Sequence, residues 1–104
     1  MKIIRVTYKV QEDFAERNKS NIQAVMTALK NLNNRGNKYA SFLEPDGTSF
    51  MHFAMYPDDT TGKIVNDLPE FVHFRNELKA SQPEQLPKEV DLSLVASAYD
   101  IFQA

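Results

Sequence analysis

Residues 4–32 read IRVTYKVQEDFAERNKSNIQAVMTALKNL, and the periodicity of this run changes once along its length. Ile4, Val6, Tyr8 and Val10 alternate with Arg5, Thr7 and Lys9, the period of two of a strand with one apolar face. From Glu12 and Asp13 onward the positions of one face fall three or four apart, through Phe14, Asn18, Ile22, Val25, Met26, Leu29 and Leu32, which is the stripe of an amphipathic helix. The two acids stand where the positive end of the helix dipole favours them. Asn33-Asn34-Arg35-Gly36-Asn37 ends the helix, because Asn and Gly tolerate the left-handed conformation of a C-terminal cap. One polar residue, Asn18, interrupts the stripe.

Two runs rich in aromatic and apolar residues follow, 39–43 and 48–56, joined by Glu44-Pro45-Asp46-Gly47. Pro followed by Gly is turn chemistry, so the pair reads as a β-hairpin. Pro57-Asp58-Asp59-Thr60 breaks the second strand and supplies N-caps for a helical stretch with Ile64, Leu68, Phe71, Phe74 and Leu78 on one face. Pro69 divides that stretch. Lacking an amide donor, it suits the first position of a helix, which predicts a short helix to about Asp67 and a second from Pro69. Residues 81–87 read as a loop. Residues 90–102 read as a last extended segment that outruns its neighbours, and its surplus at 99–102 predicts pairing with a second subunit. A bent, free end is the alternative.

Strand, helix, strand, strand, helix, strand is the ferredoxin-like βαββαβ order of an α+β domain spanning residues 1–104. It implies a four-stranded antiparallel sheet with the helices on one face. Phe42, Met51, Phe53 and Met55, or their pleat partners, then point to the opposite face, and a homodimer closing two such faces makes a dimeric α+β barrel.

Composition narrows the partners. Net charge is −2 with Lys and Arg scattered, which lacks the basic stripe of a nucleic-acid binder. There is no cysteine, so thiolate metal sites and disulfides are excluded, and no apolar run approaches a membrane span. The N-terminus lacks the apolar core of a secretion signal, and a cytoplasmic location is expected. Two histidines without clustered carboxylates predict no metal, and Gly36, Gly47 and Gly62, all placed at turns or caps, make no phosphate loop, so no cofactor is expected.

Val6-Thr7-Tyr8-Lys9-Val10, the run Phe53-Ala54-Met55-Tyr56, the run Leu68-Pro69-Glu70-Phe71-Val72-His73-Phe74 and a long closing strand together resemble the dimeric α+β-barrel superfamily. Within it, the chain is similar to the antibiotic-biosynthesis-monooxygenase-like proteins. It is also similar to a branch of small proteins sharing the Tyr-Lys-Val start and the Leu-Pro-x-Phe helix. The resemblance implies oxygenation of small polycyclic aromatics without metal or flavin, or degradation of heme. The tryptophan that often ends strand three falls on Tyr56, and the heme-binding histidine falls on Arg75, which disfavours heme chemistry.

Four residues stand out as site candidates. His52, alternating with Phe50, Ala54 and Tyr56, enters a cavity if that face meets the helices, and histidine is suited to remove a phenolic or enolic proton. Its alternative role is a hydrogen-bonded core residue. Asn18 would orient a ligand carbonyl or satisfy a neighbouring backbone group. Tyr8 and Tyr56 would line the pocket with their hydroxyls or simply pack. His73 lies one position off its helix stripe and reads as a surface residue. The expected function is a homodimer binding a small, partly aromatic ligand, with cofactor-independent oxygenase chemistry assisted by His52. The rival is a non-catalytic ligand-binding or structural dimer of the same fold.

Overall fold

A computed structural model describes residues 1–32 and 36–99. Strand β1 (Lys2–Lys9) leads through a 3-10 turn (Glu12–Phe14) into helix α1 (Ala15–Asn31). Strands β2 (Lys38–Leu43) and β3 (Ser49–Tyr56) form the hairpin, followed by α2 (Asp59–Asn66), α3 (Pro69–Ala80) and strand β4 (Gln85–Leu92). The sheet order is β2-β3-β1-β4, every pair antiparallel, as the ferredoxin-like reading requires.

Local chemistry sets these boundaries. The Asp46 carboxylate accepts from the amides of Thr48 (2.9 Å) and Ser49 (2.8 Å), and Gly47 takes a φ of +79°, so the hairpin turn is closed by a side chain and opened to the left-handed region by a glycine. Asp58 caps α2 by accepting from the Thr61 amide at 2.7 Å. Pro69 begins α3, and Leu68 caps it in an extended conformation, as a residue preceding proline prefers.

The core lies on one face of the sheet. Ile4, Tyr8, Phe50, Ala54 and Tyr56 from the strands join Ile22, Val25, Val65, Phe71, Phe74 and Leu78 from the three helices in one buried cluster. On the other face Phe42 is 54 % exposed and Met51 and Phe53 are half-buried. Met55 was expected to stand bare there, yet it is fully buried beside its register partner Ile3. This end of the face is therefore already covered.

Two boundaries differ from the sequence reading. The last strand begins five residues early, inside the expected loop, and stops at Leu92; residues 93–99 carry no regular structure, and 100–104 lie outside the described residues. Polar residues and Pro87 masked this strand. Both are tolerated because β4 is an edge strand, and Pro87 falls at a register shift where Leu86 and Pro87 together oppose Tyr8. At eight residues β4 is no longer than β1 or β3, so its length no longer argues for a second subunit. Gly62, expected at a turn or cap, lies inside α2, because Asp58 starts the helix four residues earlier.

Candidate functional site

Strand pleating decides what reaches the helix side. On β3, Phe50, His52, Ala54 and Tyr56 all face the helices, and the register sets Val6 opposite His52 and Tyr8 opposite Phe50. Tyr8 is thus the diagonal neighbour of His52, within reach of a long side chain. The Tyr8 hydroxyl lies 2.7 Å from His52 Nε2, and Asn18 Nδ2 of α1 donates to the same hydroxyl at 2.8 Å. On the far side of the ring, Nδ1 meets Tyr39 Oη at 3.0 Å and Ser41 Oγ at 2.9 Å. Ser41 arrives there because it is the cross-strand partner of His52.

The direction of this chain follows from counting donors. With the Asn18 amide group turned to Tyr8, one buried acceptor, Asn18 Oδ1, is left without a partner. Turning it over would put both amide hydrogens in that unpartnered place, orphaning two donors in exchange for one acceptor. The assignment that gives each of these groups a partner has Tyr8 accept from Asn18 and donate its own hydrogen to His52 Nε2. The imidazole proton then sits on Nδ1 and is shared between Tyr39 and Ser41. Burial lowers the His52 pKa to about 4, so the ring is neutral at pH 7. Burial likewise pushes the Tyr8 phenol well above its ordinary value, opposed by the bond from Asn18.

Tyr8, Tyr39 and His52 lie at the floor of a cavity of about 810 Å³ between the sheet and helices α2 and α3, while Asn18 is fully buried behind Tyr8. That is within the range of about 300–1,000 Å³ that holds drug-sized ligands. Val6, Phe71, Phe74 and Leu78 supply apolar wall, and Tyr8, Tyr39 and His52 supply polar edges. His52 and Tyr8 are each only 3 % exposed, so the polar group that faces the cavity most openly is the half-buried Tyr39. The Tyr8 ring is stacked on Phe50 (5.5 Å between centroids) and on His52 (5.3 Å), which fixes its hydroxyl in place.

Of the four residues picked from the sequence, Asn18, Tyr8 and His52 form one hydrogen-bonded chain. Tyr56 lines the same cavity but stands apart from that chain, packed where α2 crosses it at Gly62. Burial, then the nearby Glu89 carboxylate, push its phenol up to about 12, while the Arg75 charge works the other way. Three further residues were missed. Tyr39 and Ser41 hold the second ring nitrogen, and Arg75 stands at the cavity with its guanidinium 4.9 Å over the Phe71 ring. The hairpin register carried the signal for Ser41, but that register depends on the loop conformation Asp46 imposes. His73 stands outside the cavity, exposed and 3.4 Å from Glu77. Among the described residues no three metal-ligating side chains converge, and no helix is long and apolar enough to cross a membrane.

No protein-family model matches the sequence, and a comparison with curated proteins found no match. Solved structures do share the fold. A candidate antibiotic biosynthesis monooxygenase from Bacteroides thetaiotaomicron superposes with a TM-score of 0.80 at 11 % identity, over 94 % of this chain and 92 % of that one. A second from Nitrosomonas europaea gives 0.76 at 15 % identity, over 92 % and 100 %. A variant of SnoaB, a cofactor-independent oxygenase from Streptomyces nogalater, gives 0.66 at 14 % identity, over 93 % and 96 %. The chain thus has the fold of antibiotic-biosynthesis-monooxygenase-like proteins; identities this low establish the fold alone.

Proposed function

We propose that the protein, as a homodimer, binds a small, partly aromatic molecule with an acidic phenolic or enolic centre and oxidises it with dioxygen, using no metal, flavin or nucleotide. One observation carries this reading: an aromatic-walled cavity lined by Tyr8 and His52, which are joined in a hydrogen-bonded chain that starts at the buried Asn18 behind them. The fold shared with a cofactor-independent oxygenase supports it. Exposed Phe42, with half-buried Met51 and Phe53 beside it, supports the dimer.

In this mechanism the substrate proton passes to the Tyr8 oxygen as the Tyr8 proton passes to His52 Nε2. The substrate carbanion then gives electrons to dioxygen and forms a carbon–oxygen bond. His52 returns its proton to the peroxide through Tyr8, and loss of water leaves a carbonyl. The balance is a CH₂ plus O₂ giving C=O plus water, with the substrate as the only reductant. Protonating a group of pKa about 4 at pH 7 costs about 4 kcal/mol. A turnover of about 10 per second corresponds to a barrier of about 16 kcal/mol, so the cost is a tolerable fraction of it.

The test is oxygen uptake with a tricyclic anthrone, whose CH₂ is acidified by a conjugated carbonyl. One O₂ per anthrone is expected, with uptake abolished in His52→Ala and strongly reduced in Tyr8→Phe. Unchanged turnover in His52→Ala would remove the base. A second reading, a non-catalytic binder, is favoured by the full engagement of both His52 nitrogens. Tight anthrone binding with no uptake in any variant would select it.

A further inference from the structure

Helix α3 brings two cations to the cavity, Arg75 and Lys79, four residues apart and hence on one face, and Lys2 adds a third from the start of β1. Three acids share the lining: Asp58, which caps α2, Asp59 in the first turn of that helix, and Glu89 on edge strand β4, near Tyr56. Among the described residues none of the three cations is in an ion pair, whereas Lys63 of the same rim is paired with Asp67.

Arg75 is the one of the three that is held in place. Its Nη2 donates to the Asn66 carbonyl at 3.0 Å and Nη1 reaches Asn66 Oδ1 at 3.5 Å, while the guanidinium plane lies over Phe71. All these partners are neutral, so the charge is fixed in position without being neutralised. Two nitrogens carry those bonds, and the guanidinium has five N–H donors in a planar fork suited to a carboxylate. Its field also reaches inward, opposing the rise in the pKa of the half-buried Tyr39 and buried Tyr56 phenols.

We infer that Arg75, backed by Lys79 and Lys2, anchors an anionic group at the cavity mouth, so that the ligand is an aromatic acid with its ring on Phe71 and Phe74 and its carboxylate or sulfonate at the guanidinium. This rests on the cavity reading of the proposed function and narrows its ligand class. The competing role for Arg75 is structural: bonding to a carbonyl at the C-terminal end of α2, it also ties α2 to α3.

Two probes that differ in one charged group separate these possibilities. 8-Anilinonaphthalene-1-sulfonate and uncharged N-phenyl-1-naphthylamine share the same aromatic body, and their fluorescence rises on entering an apolar site. Binding is measured with the full chain, with Arg75→Gln and with Arg75→Lys, each checked for an unchanged circular dichroism melt. The sulfonate should bind the full chain roughly tenfold more tightly than the neutral probe, lose about that factor in Arg75→Gln and regain part of it in Arg75→Lys. The neutral probe should bind all three proteins alike. Neutral and anionic probes binding equally, with Arg75→Gln changing neither, would overturn the anchor and leave the cavity reading intact. Binding of neither probe would remove the cavity reading and the anchor with it. A lowered melt in Arg75→Gln with no selective loss of the sulfonate would assign Arg75 the structural role alone.

Discussion

Replacing His52 by glutamine should flatten the stability of this protein against pH between 7.5 and 5. Above pH 6.5 the ring is neutral folded or unfolded. Below it the unfolded chain takes up a proton that the native protein refuses until about pH 4, so falling pH favours unfolding. The stabilisation is complete above pH 6.5 and lost progressively toward pH 4. At about 1.4 kcal/mol per tenfold difference in proton affinity, the loss from pH 7.5 to 5 is about 2 kcal/mol and that down to pH 4 about 3 kcal/mol.

Carboxylates act in a lower window. The Ser49 hydroxyl and two amides hold Asp46 at about 2, the Thr61 amide and hydroxyl lower Asp58, and Arg17 lowers Glu77. Each stabilises the fold above its ordinary carboxylate range, and that support is lost as pH falls through the lowered value. The interval from pH 7.5 to 5 is therefore largely free of them. Glutamine offers an oxygen to Tyr8 and an N–H to Ser41 without titrating, so His52→Gln should remain folded, though less stable at pH 7. Urea denaturation of both proteins at each half pH unit gives the difference curve, in which groups common to the two proteins cancel. Parallel curves over this interval would refute a His52 held neutral by burial.

Three further outcomes follow from the geometry. In wild type, long-range proton–nitrogen NMR should find the His52 proton on Nδ1; Asn18→Leu frees the Tyr8 oxygen to accept and should shift the proton toward Nε2, at about 1 kcal/mol of stability. A wild-type Nε2 proton would reverse the chain drawn from Asn18. Gly62→Ala should raise stability by about 0.5–1 kcal/mol, since its Cβ would meet Tyr56 Cδ2 at 3.4 Å, an ordinary contact, and alanine is the better helix former. A lowered melting temperature would mean that Tyr56 cannot yield even that space. Phe42→Glu should leave the circular dichroism spectrum unchanged and shift sedimentation from dimer to monomer, because it puts a charge on the exposed sheet face; a wild-type monomer would withdraw the dimer.

Element order, the divided second helix and the helix-facing set of β3 were legible in the sequence because each rests on local chemistry: a period of two, a period of three to four, a proline without a donor, an aspartate before a helix. The same logic picked out Asn18 and His52, since a polar residue in an apolar stripe must find a partner once buried. It failed at β4, where residues 85–88 have no apolar alternation and only the free edge of β1 makes a strand of them. It failed equally at Gly62, read as punctuation although it lies inside α2, against the Tyr56 ring.

What the amino-acid order determined by itself is the set of amphipathic elements and the residues each turns to the core. What tertiary structure alone decided is which of those residues meet. The bond between Tyr8 and His52 spans 44 positions of sequence and that between Asn18 and Tyr8 spans 10. Tyr39 and Ser41 reach the ring only through the hairpin register, and Arg75 reaches the cavity only because α3 packs over the sheet. Periodicity encodes a direction for each side chain; contact between side chains on different elements depends on register and helix placement, which the whole core fixes together.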